Sequence, residues 1–483
     1  MIDMLSAFLS LHTLVVALSI GAIMLVSAVV SPAFVLALQF PAWTFLILVK
    51  DYYPVSTSAV SSVFPIISIA GAALCRRRFT LDAVHCLLML YMGLLIVSLR
   101  HSPNPEYGLE KITLTCFQSV PIVVAASYAL GSFQQINRVI AVLNWTLGFY
   151  VGASALLLFT GTAAIGAEGR YSALHDVTVS GQLLGLGIVS ALYWWKRRNL
   201  WIRVLAYTLV VAAGLLLLKT GTRTPIASAV VTIVVMQFVR SGKPLISFLM
   251  TPRTLVAALL IIPAAIIGSV CLPLVVSPES YDKRFSGVSA FFYVDDLNDP
   301  KYRYLNYATA VALGMENPLF GLGVGGYKDA FIEETGVGAH IRYERHPVYP
   351  HNLFLEAFSE HGVPGLVIFA LLTFVLSRRW LTLARCLPNA EIDQQRIIEA
   401  VLSLFLYGFL LSQTSLDIPR MITLWWAVGL LLAASKTWKL CETSATANTQ
   451  ARKKRSSEQS ERVSAVSREN LCTSLESRCR WLP

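Results

Sequence analysis

The sequence predicts an all-α, polytopic membrane protein, and three observations carry that prediction. Of 483 residues, 55% are hydrophobic and only 14% are charged, well below the charged quarter of an ordinary soluble domain. Mean hydropathy is +0.62. Apolar runs long enough to cross ~30 Å of hydrocarbon recur along almost the whole chain. The same composition excludes a disordered chain, a disulfide scaffold and an ordinary soluble enzyme. The spans are helical because a segment in lipid must satisfy its own backbone hydrogen bonds.

In chain order, residues 1–48 hold one or two spans, interrupted by Ser31-Pro32 and Pro41. The start lacks a basic region ahead of its apolar stretch, so no cleavable signal is expected. Further spans fall near 59–75, 81–98, 115–131, 137–160, 178–195, 199–218, 224–239, 254–276, 352–376, 397–413 and 420–435. The total is about twelve with the N-terminus inside, or about thirteen with it outside. Lys/Arg-rich short connections set orientation. Arg76-Arg77-Arg78, Lys196-Arg197-Arg198, the Arg240/Lys243/Arg253 connection and Arg378-Arg379 all fall on one face when the spans alternate, and that face is predicted cytoplasmic.

Domain organisation follows: N-terminal helices 1–276, a large external loop 277–351, C-terminal helices 352–440 and a basic tail 441–483. The loop is polar, with a helix-like stretch near Tyr302–Met315. The opposite face also receives 99–114, 161–177, 219–223 and 414–419. The tail is rich in Ser, Arg and Glu, and is predicted disordered and cytoplasmic. The external loop has no cysteine, so no disulfide framework is implied. A net charge of +11 would point to nucleic acid in a soluble protein. Here the loop 278–350 has seven Lys/Arg against ten Asp/Glu and the tail eight against five, so the two offset each other. The excess lies in the bundle and its short loops, and no nucleic-acid partner is expected.

Chemistry is sought among polar residues at external span ends, because ionisable groups near the bilayer are costly. Arg223 opens the span at Thr224-Pro225, Arg303 begins the loop helix, His351-Asn352 opens the span at 352, and Asp417 and Arg420 flank Pro419. Two arginines match a diphosphate, since the guanidinium fork fits phosphate oxygens. Helix N-termini at Thr224 and Asn352 add positive dipole ends. A histidine of pKa ~6.5 suits the deprotonation of an attacking hydroxyl.

Each residue also has a structural reading. Arg223 fits a snorkelling interfacial residue, Arg303 a solvated charge, His351-Asn352 a helix start with an Asn cap. Asp417 and Arg420 are expected to pair with each other. Glu356 and Glu360, one turn apart, either orient the site or face the bundle. His340, His346 and His351 fit no metal spacing, and no metal site is predicted. Gly321-Leu322-Gly323-Val324-Gly325-Gly326 lacks the context of a phosphate loop and reads as a flexible turn leading to Tyr327.

The ordered elements from Arg303 to Leu366 resemble a known family. Arg303 heads an Ala-rich helix, and Glu316-Asn317-Pro318-Leu319-Phe320-Gly321 through Tyr327 follows. Then come His351-Asn352-Leu353-Phe354-Leu355-Glu356, Glu360-His361-Gly362 and Gly365-Leu366. The run is similar to the signature of the O-antigen ligase and polymerase superfamily of bacterial membrane glycosyltransferases. Thr222-Arg223-Thr224-Pro225 resembles the family's Ser-Arg-Gly element, with Thr and Thr-Pro departing from it.

The resemblance implies a GT-C-like bundle of about twelve transmembrane helices with a large periplasmic loop, in the bacterial inner membrane. It implies an undecaprenyl-diphosphate-linked glycan donor, membrane lipid as its surroundings, and no metal or other cofactor. By position, His351 matches the family's proposed base, and Arg223 and Arg303 its diphosphate-binding arginines. Arg284, in Tyr281-Asp282-Lys283-Arg284-Phe285, competes for the second place. A ligase with a lipid A–core acceptor is expected, because no extended external domain follows the last span. A polymerase, a protein O-oligosaccharyltransferase and a non-enzymatic glycolipid transporter remain as alternatives.

Overall fold

The computed structural model describes residues 24, 27, 29–49, 57–75, 80–160, 164–165, 171–172, 177–195, 199–220, 222–241, 302–335, 348–414 and 417–441. The expected span at 254–276, the basic clusters 76–78 and 196–198 and the tail beyond 441 lie outside the described residues, as do residues 1–23 and the rest of the 277–351 loop.

Helices dominate. They are α1 (Pro32–Val49), α2 (Thr57–Leu74), α3 (Ala83–Ser98), α4 (Pro105–Ala129), α5 (Phe133–Phe159), α6 (Val177–Trp195) and α7 (Leu200–Thr220). There follow α8 (Arg223–Ser241), α9 (Tyr302–Glu316), α10 (Tyr327–Thr335), α11 (Leu353–Cys386), α12 (Ile392–Ser412) and α13 (422–441). Seven of the described helices are long and apolar enough to cross a membrane, and the protein is an all-α polytopic membrane protein. A two-residue antiparallel pair, β1 (Ala164–Ile165) with β2 (Tyr171–Ser172), sits in the 161–177 connection. By contact density the chain separates into Met1–Ala434 and Ser435–Pro483, the second described only as the end of α13.

Three boundaries differ from the sequence reading, each for a local reason. The connection 99–114 is mostly helix. Asn104 caps it by accepting the Tyr107 N–H at 3.1 Å, Pro105 occupies the first turn, and the helix continues through a π-helical turn at Thr115–Ser119. The expected span 352–376 runs to Cys386, so Arg378 and Arg379 sit within a helix rather than in a connection. That helix is also broken. Gly362 has φ 63° and ψ −154°, and the Val363 N–H bonds the Pro318 carbonyl at 2.7 Å. A short helix 353–361 therefore precedes the long one.

Two ion pairs link described ends that alternation assigns to one face. Arg379 bonds Asp82 at 2.5 Å and Arg240 bonds Glu399 at 2.8 Å, joining four segments at one end of the bundle. At the other end, α9 and α10 pack around a small core of Ala310, Leu313, Tyr327, Phe331, Ile332 and Val348. The Tyr327 hydroxyl, buried in that core, donates to the side-chain oxygen of Asn306 at 2.8 Å. This cap rests on the start of α11, where the predicted site residues cluster.

Candidate active site

The N-terminal half of α4 is the hub of this end. Tyr107, Glu110 and Lys111 occupy positions i, i+3 and i+4 and so share one helix face. Lys111, 2% exposed, holds Glu356 at 2.6 Å and Glu360 at 2.7 Å. Glu356 also accepts the Ile418 N–H at 3.1 Å, and the Tyr107 hydroxyl donates to the buried Asp417 carboxylate at 3.0 Å. Arg420 bonds Glu110 at 2.7 Å and lies 3.8 Å from Asp417. Three segments far apart in sequence are thus joined by charge: α4, the short helix 353–361 and the turn 417–420.

Two open questions from the sequence close here. Glu356 and Glu360 are both buried and share Lys111 as their partner. Asp417 and Arg420 are within pairing range, but each has a nearer partner on α4. Burial acts to lower the Arg420 pKa, and Asp417, Tyr107 and Glu110 outweigh it, so the guanidinium stays above its ordinary value. The sequence does not single out Lys111, because 99–114 reads as an external connection between spans. The usable signal was Asn104-Pro105, a helix-start pair, followed by Tyr107, Glu110 and Lys111 at helical spacing.

The glycine turn is corrected as well. It is clamped rather than flexible. Leu322 and Gly323 donate to the carbonyls of Ser359 and Glu360 at 2.9 Å each, and Ser102 Oγ bonds the Val324 carbonyl at 2.7 Å. Gly323 has φ +85°, and a Cβ there would stand 2.6 Å from the Ser102 nitrogen. Glycine is required both by conformation and by the close approach of backbone. The turn buckles the cap to α4 and to the short helix at once.

His351 and Asn352 stand where that short helix begins. Asn352 caps it, its Oδ1 accepting from Phe354 and Leu355 at 3.0 and 3.1 Å. The Asn352 amide approaches Gln413, the residue after α12, at 3.3 Å. His351 is half-buried, with its ring 4.5 Å from that of Tyr349, and has φ 56°, a left-handed conformation unusual for a non-glycine residue. Strained backbone of this kind persists only where the surroundings impose it.

The arginines are placed by their helices. Arg223 is the exposed first residue of α8, which packs on α6 and α12. It lies at the His351 end: the Tyr407 hydroxyl of α12 bonds the Gln182 carbonyl of α6 at 2.8 Å, and α12 ends at the residue that meets Asn352. Arg303 is the second residue of α9, which packs along α11. Arg284, His340 and His346 lie outside the described residues. The structure therefore joins Asn352, Glu356, Asp417 and Arg420 through contacts centred on α4 and Gln413, and places His351 beside them in the chain.

Comparison with curated proteins gives no match. Residues 208–370, about a third of the chain, match the family model described as O-Antigen ligase. That stretch contains Arg223, α9, the glycine turn, His351-Asn352 and the buried glutamates, and over those residues the chain is similar to the O-antigen ligase family.

Proposed function

We propose that the protein is an O-antigen ligase. It transfers a glycan from undecaprenyl diphosphate to a hydroxyl of a lipid A–core sugar, with inversion and without a metal. The observation that carries the reading is His351: its backbone has φ 56°, its ring lies 4.5 Å from that of Tyr349, and it directly precedes Asn352, the cap of a short helix anchored by buried charge. His351 takes the proton of the acceptor hydroxyl as that oxygen attacks the anomeric carbon. The carbon–oxygen bond to the diphosphate breaks, and the diphosphate leaves with the electron pair. Arg223 and Arg303, or Arg284 in place of the latter, hold the leaving charge. Asn352, Glu356, Asp417 and Arg420 keep the His351 segment in place.

The site faces the periplasm in this reading, with the 277–351 loop over it, and the chain lies in the inner membrane with its C-terminus in the cytoplasm. The resemblance of the catalytic segment supports the donor class. The choice of lipid A–core over a growing glycan or a protein acceptor is decided by assay.

The test uses purified protein in detergent with lipid-linked glycan and each acceptor separately. His351→Ala and His351→Gly should both abolish transfer while the protein still inserts. His351→Gly relieves the left-handed strain, so it should melt no lower than the native protein. Transfer by either variant at near-native rate would remove His351 from the chemistry. Product with lipid-linked repeats or an acceptor protein, and none with lipid A–core, would move the assignment to a polymerase or a protein glycosyltransferase.

A further inference from the structure

The cap around the site presents an apolar outer face that its own fold does not use. On α9 the exposed positions include Val311 and Met315, 43% and 67% exposed, while Ala310 and Leu313 turn into the cap's core. The chain then runs through Leu319 and Phe320, 67% and 61% exposed. For a helix and turn standing in water, large apolar side chains at this density are unusual. Val311 and Met315 stand one helical turn apart, and Leu319 and Phe320 follow directly after Glu316-Asn317-Pro318.

The strip joins the surface of a membrane-spanning helix. Val363, Val367, Leu371 and Phe374 of α11 are 45–59% exposed and recur at helical spacing down one face. The hydrogen bond from Val363 to the Pro318 carbonyl fixes Leu319 and Phe320 at the head of that face. One apolar surface thus passes from the α11 stripe onto the cap, with Glu316 and Asn317 as its polar punctuation. A surface already in lipid accounts for a strip with this continuation.

We infer that residues 311–320 lie in the interfacial region of the bilayer at this end of the bundle, as a monotopic element that seats the cap on the leaflet. The occupant of the strip is lipid, contacting Met315, Leu319 and Phe320 at acyl–headgroup depth. The consequence is mechanical. The cap lies at the His351 end of the bundle and is fixed to the membrane surface, so a lipid-borne substrate reaches the site sideways, without leaving the leaflet. The seating itself does not depend on the glycan-transfer reading.

Spin-label depth measurement tests it. Met315→Cys and Phe320→Cys, each in a background whose eight native cysteines are replaced by alanine, are labelled in nanodiscs of phosphatidylethanolamine and phosphatidylglycerol. Glu333→Cys, exposed on α10, serves as the water-facing reference. Leu319→Cys replaces either variant that fails to elute as the native protein does. Collision with oxygen should exceed collision with a soluble nickel chelate at 315 and 320, and the order should reverse at 333. Nickel-dominated collision at all three positions would overturn the inference. So would exclusion of both reagents with dipolar broadening between labels, which would assign the strip to a second copy.

Discussion

Lys111 is the residue on which this end of the molecule turns. A lysine 2% exposed between two glutamates is costly to build, and its contribution depends on both partners being present. Removing one member of a buried ion set leaves uncompensated charge, at a cost of about 3–5 kcal/mol. Lys111→Met should therefore lower thermal stability in detergent sharply and abolish transfer. The triple variant Lys111→Met, Glu356→Gln, Glu360→Gln removes the charges together and should recover most of the melting temperature. If the single variant melts like the native protein, the lysine does not hold the segment. Glu356, Glu360, Asp417 and Arg420 were visible in the sequence as polar residues near span ends. Their shared partner was not, because a pairing across 245 positions leaves no local mark.

At the scale of elements, the break at Gly362 separates a helix that carries the site from a helix that crosses the membrane. A Cβ at Gly362 would lie 2.3 Å from the Pro318 carbonyl oxygen, in a backbone region that L side chains avoid. Gly362→Ala should cost about 1–3 kcal/mol and reduce transfer by detaching Val363 from Pro318. Gly152→Ala, where nothing stands within 4 Å, should be neutral or stabilising by up to about 1 kcal/mol. Equal melting temperatures for the two variants would mean that the break is not fixed by glycine. The periodicity of 352–376 hid the break, because apolar residues continue on both sides of it. The boundary at 99–114 failed for the opposite reason: a helix carrying Glu106, Glu110 and Lys111 reads as polar loop until its partners are known.

Across the whole molecule, the ion pairs sort the segment ends into two faces. Arg379 with Asp82 and Arg240 with Glu399 mark one; the Lys111 cluster marks the other. With Lys/Arg-rich connections facing the cytoplasm, an impermeant maleimide added to intact spheroplasts should label Glu333→Cys and not Asp393→Cys in a cysteine-free background. Both positions are exposed in the structure. The reverse pattern would invert the topology.

The sequence by itself determined the class of the protein and the family resemblance of its central third. Those properties reside in composition and in the order of short motifs, both of which survive without a fold. It also marked His351, whose neighbour Asn352 announces a helix start. Only the tertiary structure decided that the glycine turn is a clamp, that Asp417 and Arg420 answer to α4, and that Lys111 binds the site together. Those facts depend on burial and on partners distant in the chain, and a charge acquires its meaning there only when its surroundings are known.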